Sequence, residues 1–239
     1  MGTLQDVFMA VQEKTPESLG PNAWYIATAA ALVSLGKAEE IGALSVHLTS
    51  SVSSEHKSSR EQVSKRLRDV LMKEWTLVGI PLVVTAVASL AQAEEDLELD
   101  GHLSEKWRNP MHPQEVSQRG TTFMQTLYAQ NLTSLFSTWG SHREDFEYLE
   151  KNIIYGLYLS DHGVLSPIEA EVVILTAIMC QGLKAPTIWH LRGLRRLGIS
   201  AEDVEALYVH FGAFPSTSVL SPEFQVMFPD QIENYVAEC

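Results

Sequence analysis

The sequence predicts an all-α protein with a globular core. Helix signals dominate the chain, whereas no alternation of apolar and polar residues persists long enough to predict a sheet. Hydrophobic residues make up 45% of the 239 residues and charged residues 20%, so the chain can bury enough apolar surface to offset the entropy of ordering. The predicted helices cover residues 22–36, 38–50, 58–75, 80–95, 113–130, 132–138, 143–160, 167–181, 186–197 and 201–212.

Three of the predicted helices begin with a capping box, in which a serine hydroxyl accepts from the backbone N–H three residues later. The pairs are Ser58 with Glu61, Ser166 with Glu169, and Ser200 with the acidic variant Asp203. Pro167 stands at the first helical position after Ser166, where its missing N–H costs nothing. Gly198 follows the helix 186–197, where a left-handed helix stop is expected.

The apolar run at residues 76–93 approaches the length of a membrane span. Small, polar and proline residues interrupt it, namely Gly79, Pro81, Thr85, Ser89 and Gln92. We therefore predict a buried core helix with Pro81 in its first turn, after a break at Gly79. A membrane is not an expected partner.

A polar stretch at residues 94–113 divides the chain into an N-terminal helical half, 1–100, and a C-terminal domain, 101–239. The faint likeness of ATAAALVSLGKAEE to ILTAIMCQGLKAPT fits either an ancient duplication or two alanine-rich helix ends. Three prolines at 214–229 predict an extended or irregular C-terminal arm. Packing of this arm on a neighbouring subunit and packing on its own subunit both fit.

Charge and cysteine content exclude several functional classes. A formal net charge of −13 and a pI near 5.0 would repel a phosphate backbone, so nucleic acid is not an expected partner. Two cysteines, Cys180 and Cys239, give neither a disulfide framework nor metal-ligand spacing. We find no metal, nucleotide or flavin motif and no signal peptide, and therefore expect no metal, no cofactor and a cytoplasmic location, with an organelle left open.

One acid in the apolar helix 167–181 has no evident structural partner. Glu169 is explained as the capping-box acid, whereas Glu171 lies on the helix face of Leu175 and Ile178. Burial would raise the pKa of Glu171, and a carboxyl group tuned toward neutral pH suits general acid or base catalysis. The alternative is an acid satisfied by backbone amides or by an interface arginine.

His190 is the second candidate, because the pattern of its helix points it inward. Pro186, Leu194 and Leu197 share its face, while the arginines of this helix lie on the other side. A buried imidazole can transfer protons near pH 7. The alternative is a core histidine with a purely structural hydrogen bond.

Residues 117–213 resemble the carboxymuconolactone decarboxylase and AhpD-like family. The resemblance is carried by Arg119-Gly120 followed by Tyr128, Tyr155-Gly156 ahead of Leu165-Ser166-Pro167, and His190 followed by Gly198-Ile199-Ser200 and Glu202. It implies an AhpD-like helical bundle, and a weaker likeness at residues 68–86 suggests two fused family units. It also implies self-association, either based on trimers or as a dimer of fused units.

This sequence departs from the family at its redox cysteines. Glu171 and His190 keep the spacing of the family's catalytic Glu and His, but the cysteine positions correspond to Leu183 and Pro186. Without a second cysteine near Cys180, the disulfide that the family uses for peroxide reduction cannot form. The resemblance therefore implies the decarboxylase branch, whose proton-transfer chemistry needs an acid–base pair and no thiol.

Three functions follow as hypotheses. The first is an enzyme in which Glu171 and His190 share proton transfers on a small organic acid or lactone, in a decarboxylation, isomerisation or lactone reaction. The second is a non-catalytic binding or scaffold protein, and the third, weaker one is residual thiol chemistry through Cys180. Candidate substrate-binding residues are Tyr155, Tyr158, His162 and Trp189, with His210 as a further histidine of second rank.

Overall fold

The computed structural model describes residues 3–50, 57–97 and 112–212, and within these ranges it contains helices and no strand, which confirms the all-α prediction. Short 3₁₀ turns occupy Glu17–Leu19, Ala38–Glu40 and Gly140–His142. The predicted C-terminal arm at 214–229 and most of the predicted domain boundary lie outside the described residues. The α-helices are α1 (Leu4–Lys14), α2 (Ala23–Ser34), α3 (Ile41–Ser50), α4 (Lys57–Leu77), α5 (Ile80–Asp96), α6 (Pro113–Tyr128), α7 (Asn131–Ser137), α8 (Arg143–Tyr148), α9 (Pro167–Cys180), α10 (Lys184–Arg196) and α11 (Ala201–Gly212).

Helix α1 is absent from the sequence prediction, although it has a complete capping box. The backbone N–H of Asp6 donates to the Thr3 hydroxyl at 3.2 Å, and the N–H of Thr3 donates to Asp6 at 2.6 Å. Val7, Phe8 and Val11 bury one face of this helix in the main core.

The predicted helix starts are confirmed at two of three positions. The Ser166–Glu169 box is complete, and the N–H of Asp203 donates to the Ser200 hydroxyl at 3.0 Å. The predicted start at Ser58 is wrong, because α4 includes Lys57 and Ser58 therefore lies inside the helix. A Ser-x-x-Glu pattern also occurs within helices, so it does not fix a helix start by itself.

Helix α5 is a core helix on one face, which corrects the prediction of a buried core helix in part. Val83, Ala86 and Leu90 are buried, but Val84 and Ile80 are 53% and 52% exposed. The apolar residues of α5 therefore occupy two faces, of which α3 and α4 cover only one. No helix in the described ranges combines the length and the apolar character that a membrane span requires.

The predicted helix 143–160 divides into α8 and a π-helical segment, Leu149–Leu159. This segment packs along α6, where glycines allow the two backbones to approach. A Cβ on Gly120 would collide with the Lys151 carbonyl oxygen of the segment, and one on Gly156 would lie 3.1 Å from the Val116 carbonyl oxygen of α6. The close contact fixes the position of the π-helical segment against α6.

The largest core cluster joins residues on both sides of the predicted domain boundary. Helices α2 and α9 pack against each other at its centre, and α4 contacts both. A second cluster lies between α6, the π-helical segment and α9. The division into two domains, or into two fused family units, stays a prediction.

Candidate functional site

Glu171 and His190 meet in the interior, between α9 and α10. The Nδ1 atom of His190 lies 2.7 Å from Oε1 of Glu171, and the side chains are 4% and 0% exposed. Helix α9 is buried around most of its circumference, which takes Glu171 out of contact with water. The two residues whose spacing matches the family pattern are therefore brought together, whereas their catalytic role stays a prediction.

Two tyrosines extend this pair into a chain of four side chains. The hydroxyl of Tyr128, on α6, lies 3.0 Å from Nε2 of His190 and 2.9 Å from the Tyr155 hydroxyl. Both tyrosines are buried. Tyr155 is among the predicted substrate-binding residues, but Tyr128 was not singled out as a site residue, because its partner His190 lies 62 residues away in sequence.

The four-residue chain has two consistent hydrogen-bonding states. With Glu171 ionised, His190 Nδ1–H donates to Glu171, the Tyr128 hydroxyl donates to Nε2, and Tyr155 donates to Tyr128. With Glu171 protonated, each of these donors and acceptors exchanges its role. When Tyr155 takes up one proton from outside and one proton moves along each bond toward Glu171, the first state becomes the second, which is the arrangement of a proton relay.

Burial sets the electrostatics of the chain. It raises the pKa of Glu171 above its usual value, although the neighbouring His190 acts in the opposite direction. Burial also raises the pKa of Tyr128 and of Tyr155, so both phenols stay protonated at neutral pH. The second oxygen of Glu171, Oε2, has no hydrogen-bond partner among the described residues. The carboxyl group is therefore held where its ionised form is poorly stabilised.

Gly193 allows α10 to approach Glu171. A Cβ at this position would lie 2.6 Å from Glu171 Oε1 and 3.1 Å from a methyl carbon of Leu127. Any larger residue would collide with the oxygen that binds His190. Gly193 is thus a third residue on which the geometry of the Glu171–His190 pair depends.

Ionic contacts from α4 and α6 hold the π-helical segment that carries Tyr155. The buried Lys73 ammonium donates to the carbonyls of Tyr158 at 3.0 Å and Asp161 at 2.8 Å. Arg119 Nε donates to the Gly156 carbonyl at 3.0 Å. These bonds satisfy carbonyls at the end of the segment that would otherwise lack partners. Arg119 and Gly156 therefore have structural roles next to the chain of four side chains.

His162 lies in a cleft of about 790 Å³ along α6, separated from the four-residue chain by one aromatic ring. The Phe123 ring packs edge-on against His162 with a centroid distance of 4.6 Å and lies 6.2 Å from Tyr155. The cleft combines apolar and polar groups, and its lining residues are Gln114, Glu115, Gln118, Arg119, Thr122, Phe123, Thr126, Ser160, His162, Pro167 and Leu197.

The remaining predicted residues have other positions. Trp189 is half-buried against the second core cluster, and the Tyr158 side chain is half-buried on the π-helical segment. The His210 side chain is outside the described part of the structure. In the described ranges no group of three His, Cys, Asp or Glu side chains is arranged to hold a metal ion.

Cys180 is poorly suited to thiol chemistry. Burial, and to a smaller extent the charge of Glu74, raise the pKa of its thiol well above the usual value, which disfavours the reactive thiolate. Leu183, at the position of the family's first cysteine, is 44% exposed. The hypothesis of residual thiol chemistry therefore loses support.

Glu150 was missed in the sequence analysis. It is half-buried on the π-helical segment, and burial raises its pKa to about 7, with His190 acting in the opposite direction. No pattern of α-helical period relates Glu150 to the other site residues, because its segment does not have that period.

Comparison with known proteins gives a distant relative. Peroxisomal protein 2 of Saccharomyces cerevisiae is 22% identical to this chain over 169 residues, which are 62% of this chain and 60% of that protein. The chain thus spans less than two thirds of the relative's length. No family model matches the sequence, and no solved structure matches the fold.

Proposed function

We propose that this protein is a cofactor-free acid–base enzyme of the carboxymuconolactone decarboxylase type, acting on a small organic acid or lactone. The observation that carries the proposal is the buried chain from Glu171 through His190 and Tyr128 to Tyr155. Proton-transfer sites share one arrangement. A nucleophile or acid lies within hydrogen-bond reach of a base, and a third group orients the base.

The chain can supply the proton that such a reaction needs. Loss of CO₂ from a carboxylate leaves a carbanion or enolate, which takes a proton from the phenol end of the chain. Tyr155 then regains a proton from Tyr128, His190 donates its Nε2 proton to Tyr128, and protonated Glu171 donates its proton to Nδ1. Isomerisation would use the same groups first as base and then as acid, so the residues support proton transfer without fixing the reaction.

The cleft beside Phe123 is the proposed substrate site. Its volume suits a small molecule, and the ring of Phe123 is the wall that it shares with Tyr155. Hydroxyl and amide groups such as those of Thr122 and Gln118 can orient an oxygen-rich substrate. The Phe123 ring would have to move aside for a substrate in the cleft to reach the phenols.

A non-catalytic binding or scaffold role is the second candidate, and the exposed face of α5 favours it. Ile80, Val84 and Val87 are between 47% and 53% exposed on this face. An apolar surface of this kind is typical of association between proteins. The trimer-based or fused-dimer assembly inferred from the family is proposed on the same grounds, and light scattering on the purified protein would measure it.

The likeness to Peroxisomal protein 2 makes the peroxisome a proposed location beside the cytoplasm. Fluorescence microscopy of the tagged full chain, with markers for both compartments, distinguishes the two.

Turnover measurements test the enzymatic proposal. Wild type, Glu171→Gln and His190→Ala are compared on a panel of carboxylated lactones, aromatic acids and peroxides, following CO₂ release and product mass. The exposed residues Glu144 and His142 provide matched controls, as Glu144→Gln and His142→Ala. We expect both site variants to lose about 10²-fold or more in rate while the controls retain activity. Absence of turnover by wild type, with a protein partner bound equally by all variants, would instead favour the scaffold role.

A further inference from the structure

Glu150 is a partly exposed acid on the π-helical segment that also carries Tyr155, five residues before that tyrosine. It is half-buried near the start of the π-helical segment, while Tyr128, His190 and Glu171 are buried. We propose that Glu150 is the residue that exchanges protons between bulk water and the chain that ends at Glu171. This inference rests on the proposed function and extends it, because a buried acid–base chain must recover its proton after each turnover.

The π-helical register brings Glu150 to the side of the segment that carries Tyr155. In an α-helix, two residues five positions apart would be separated by about 140° around the axis. In a π-helix the backbone bonds instead join residues five apart, so such residues lie on nearly the same side. The N–H of Ser160 donates to the Tyr155 carbonyl at 2.9 Å with this spacing. The π-helical register therefore places Glu150 on the side of the segment that carries Tyr155.

The charge of Glu150 acts on three members of the chain. It opposes ionisation of Tyr128 and Tyr155, and it interacts with His190 on α10. Because burial raises its pKa to about 7, Glu150 can both take up and release a proton near neutral pH.

The other charged groups near this segment are engaged elsewhere. Lys151 pairs with Glu147, which also accepts from Arg143, and both partners lie on the side of α8. Lys73 of α4 lies at the opposite end of the segment, bound to the Tyr158 carbonyl. Among the described groups, Glu150 is thus a half-buried acid on the same segment as Tyr155 whose charge acts on both phenols and on His190.

The proposed proton path balances without any redox step. After the chain has protonated a substrate carbanion, Glu150 takes a proton from hydronium or a buffer acid. It passes this proton to the phenol end of the chain, and one O–H or N–H bond forms for each one that breaks. The chain then returns to its starting state with Glu150 ionised.

Solvent exchange of the His190 ring proton tests this path without a substrate. The rate at which the ring N–H exchanges with water is measured by ¹⁵N-edited NMR in wild type, Glu150→Gln, Glu150→Asp and the control Glu144→Gln. We expect Glu150→Gln to slow exchange by about tenfold or more, Glu150→Asp to have a smaller effect, and the exposed control to have none. With an identified substrate, the pH–rate limb near neutrality should disappear in Glu150→Gln.

An exchange rate in Glu150→Gln equal to that of wild type would overturn the inference, even if the enzyme turned over a substrate. Slower exchange in Glu150→Gln supports it, even if no substrate is turned over and the proposed function fails. Should Glu150→Gln fail to fold by circular dichroism, the Glu150→Asp variant decides, because a shortened carboxylate must slow exchange without abolishing it.

Discussion

Replacing Gly193 by alanine tests whether the contact between Glu171 and His190 determines the chemistry, without altering either residue. The added Cβ would lie 2.6 Å from Glu171 Oε1, whereas ordinary contacts begin near 3.4 Å. The carboxylate must therefore move by about 0.8 Å, and the 2.7 Å bond to His190 Nδ1 lengthens to about 3.5 Å, beyond a good hydrogen bond.

This displacement has a calculable effect on stability and rate. Losing a hydrogen bond to a charged group costs about 1.5–3 kcal/mol, and the better helix propensity of alanine returns up to about 1 kcal/mol. We therefore expect the free energy of unfolding to fall by about 1–2 kcal/mol. A misplacement of this size in a catalytic group lowers turnover by about 10²-fold.

Urea denaturation and turnover of Gly193→Ala measure the two effects. Ala185→Gly, at an exposed position of the same helix, changes one methyl group in the opposite direction and controls for helix propensity. If Gly193→Ala had wild-type stability and wild-type activity, the Glu171–His190 contact would not have the role assigned to it.

Three further predictions concern the core and the Cys180 thiol. Glu74 is fully buried and its pKa lies well above the usual value because of burial, so the folded state keeps a proton that the unfolded chain releases. Glu74 should therefore contribute a loss of up to about 1.4 kcal/mol per pH unit as pH rises, so the stability of Glu74→Gln should fall less steeply than that of wild type; parallel urea stability curves from about pH 6 to about pH 8 would contradict this. Gly120→Ala should lower the free energy of unfolding by about 3 kcal/mol or more, because the new Cβ meets backbone atoms of Lys151 and Gly156 that cannot rotate away. A loss below about 1 kcal/mol would show that α6 and the π-helical segment can move apart at little cost in free energy. Cys180→Ser should retain turnover on every substrate of the panel, whereas loss of turnover in a folded Cys180→Ser protein would restore the thiol hypothesis.

Most helices were predictable because each carries local signals. The Ser166–Glu169 box with Pro167 fixed the start of α9, and Gly198 marked the end of α10 with a φ of +97°. The π-helical segment was not predictable, because no periodic pattern of the sequence marks a π-helical register and the close approach of Gly120 to Lys151 joins two separate elements. Helix periodicity contains no information about such a contact.

The site was predictable in part for the same reason. Glu171 and His190 stand out as polar residues on apolar faces, and their spacing matches a family pattern. Tyr128 contacts His190 only through the packing of α6 on α10, and the role of Glu150 depends on the π-helical register. Sequence reasoning identified Glu171 and His190, at one end of the four-residue chain, but neither Tyr128 nor Glu150.

The exposed face of α5 shows the limit of reasoning from hydrophobicity alone. An apolar run indicates burial, yet Val84 and Val87 face outward while Val83 and Leu90 face the core. The sequence does not distinguish a helix buried by its own chain from one that a partner covers.

Deuterium incorporation is the measurement that tests the central claim most directly. Small carboxylated ligands that bind the wild-type protein are incubated in D₂O, and exchange at the carbon next to the carboxyl group is followed by NMR and mass spectrometry. We predict exchange catalysed by wild type that falls by about 10²-fold or more in Glu171→Gln and in His190→Ala. Exchange that persists at the wild-type rate in both folded variants would contradict the claim that Glu171 and His190 transfer the proton.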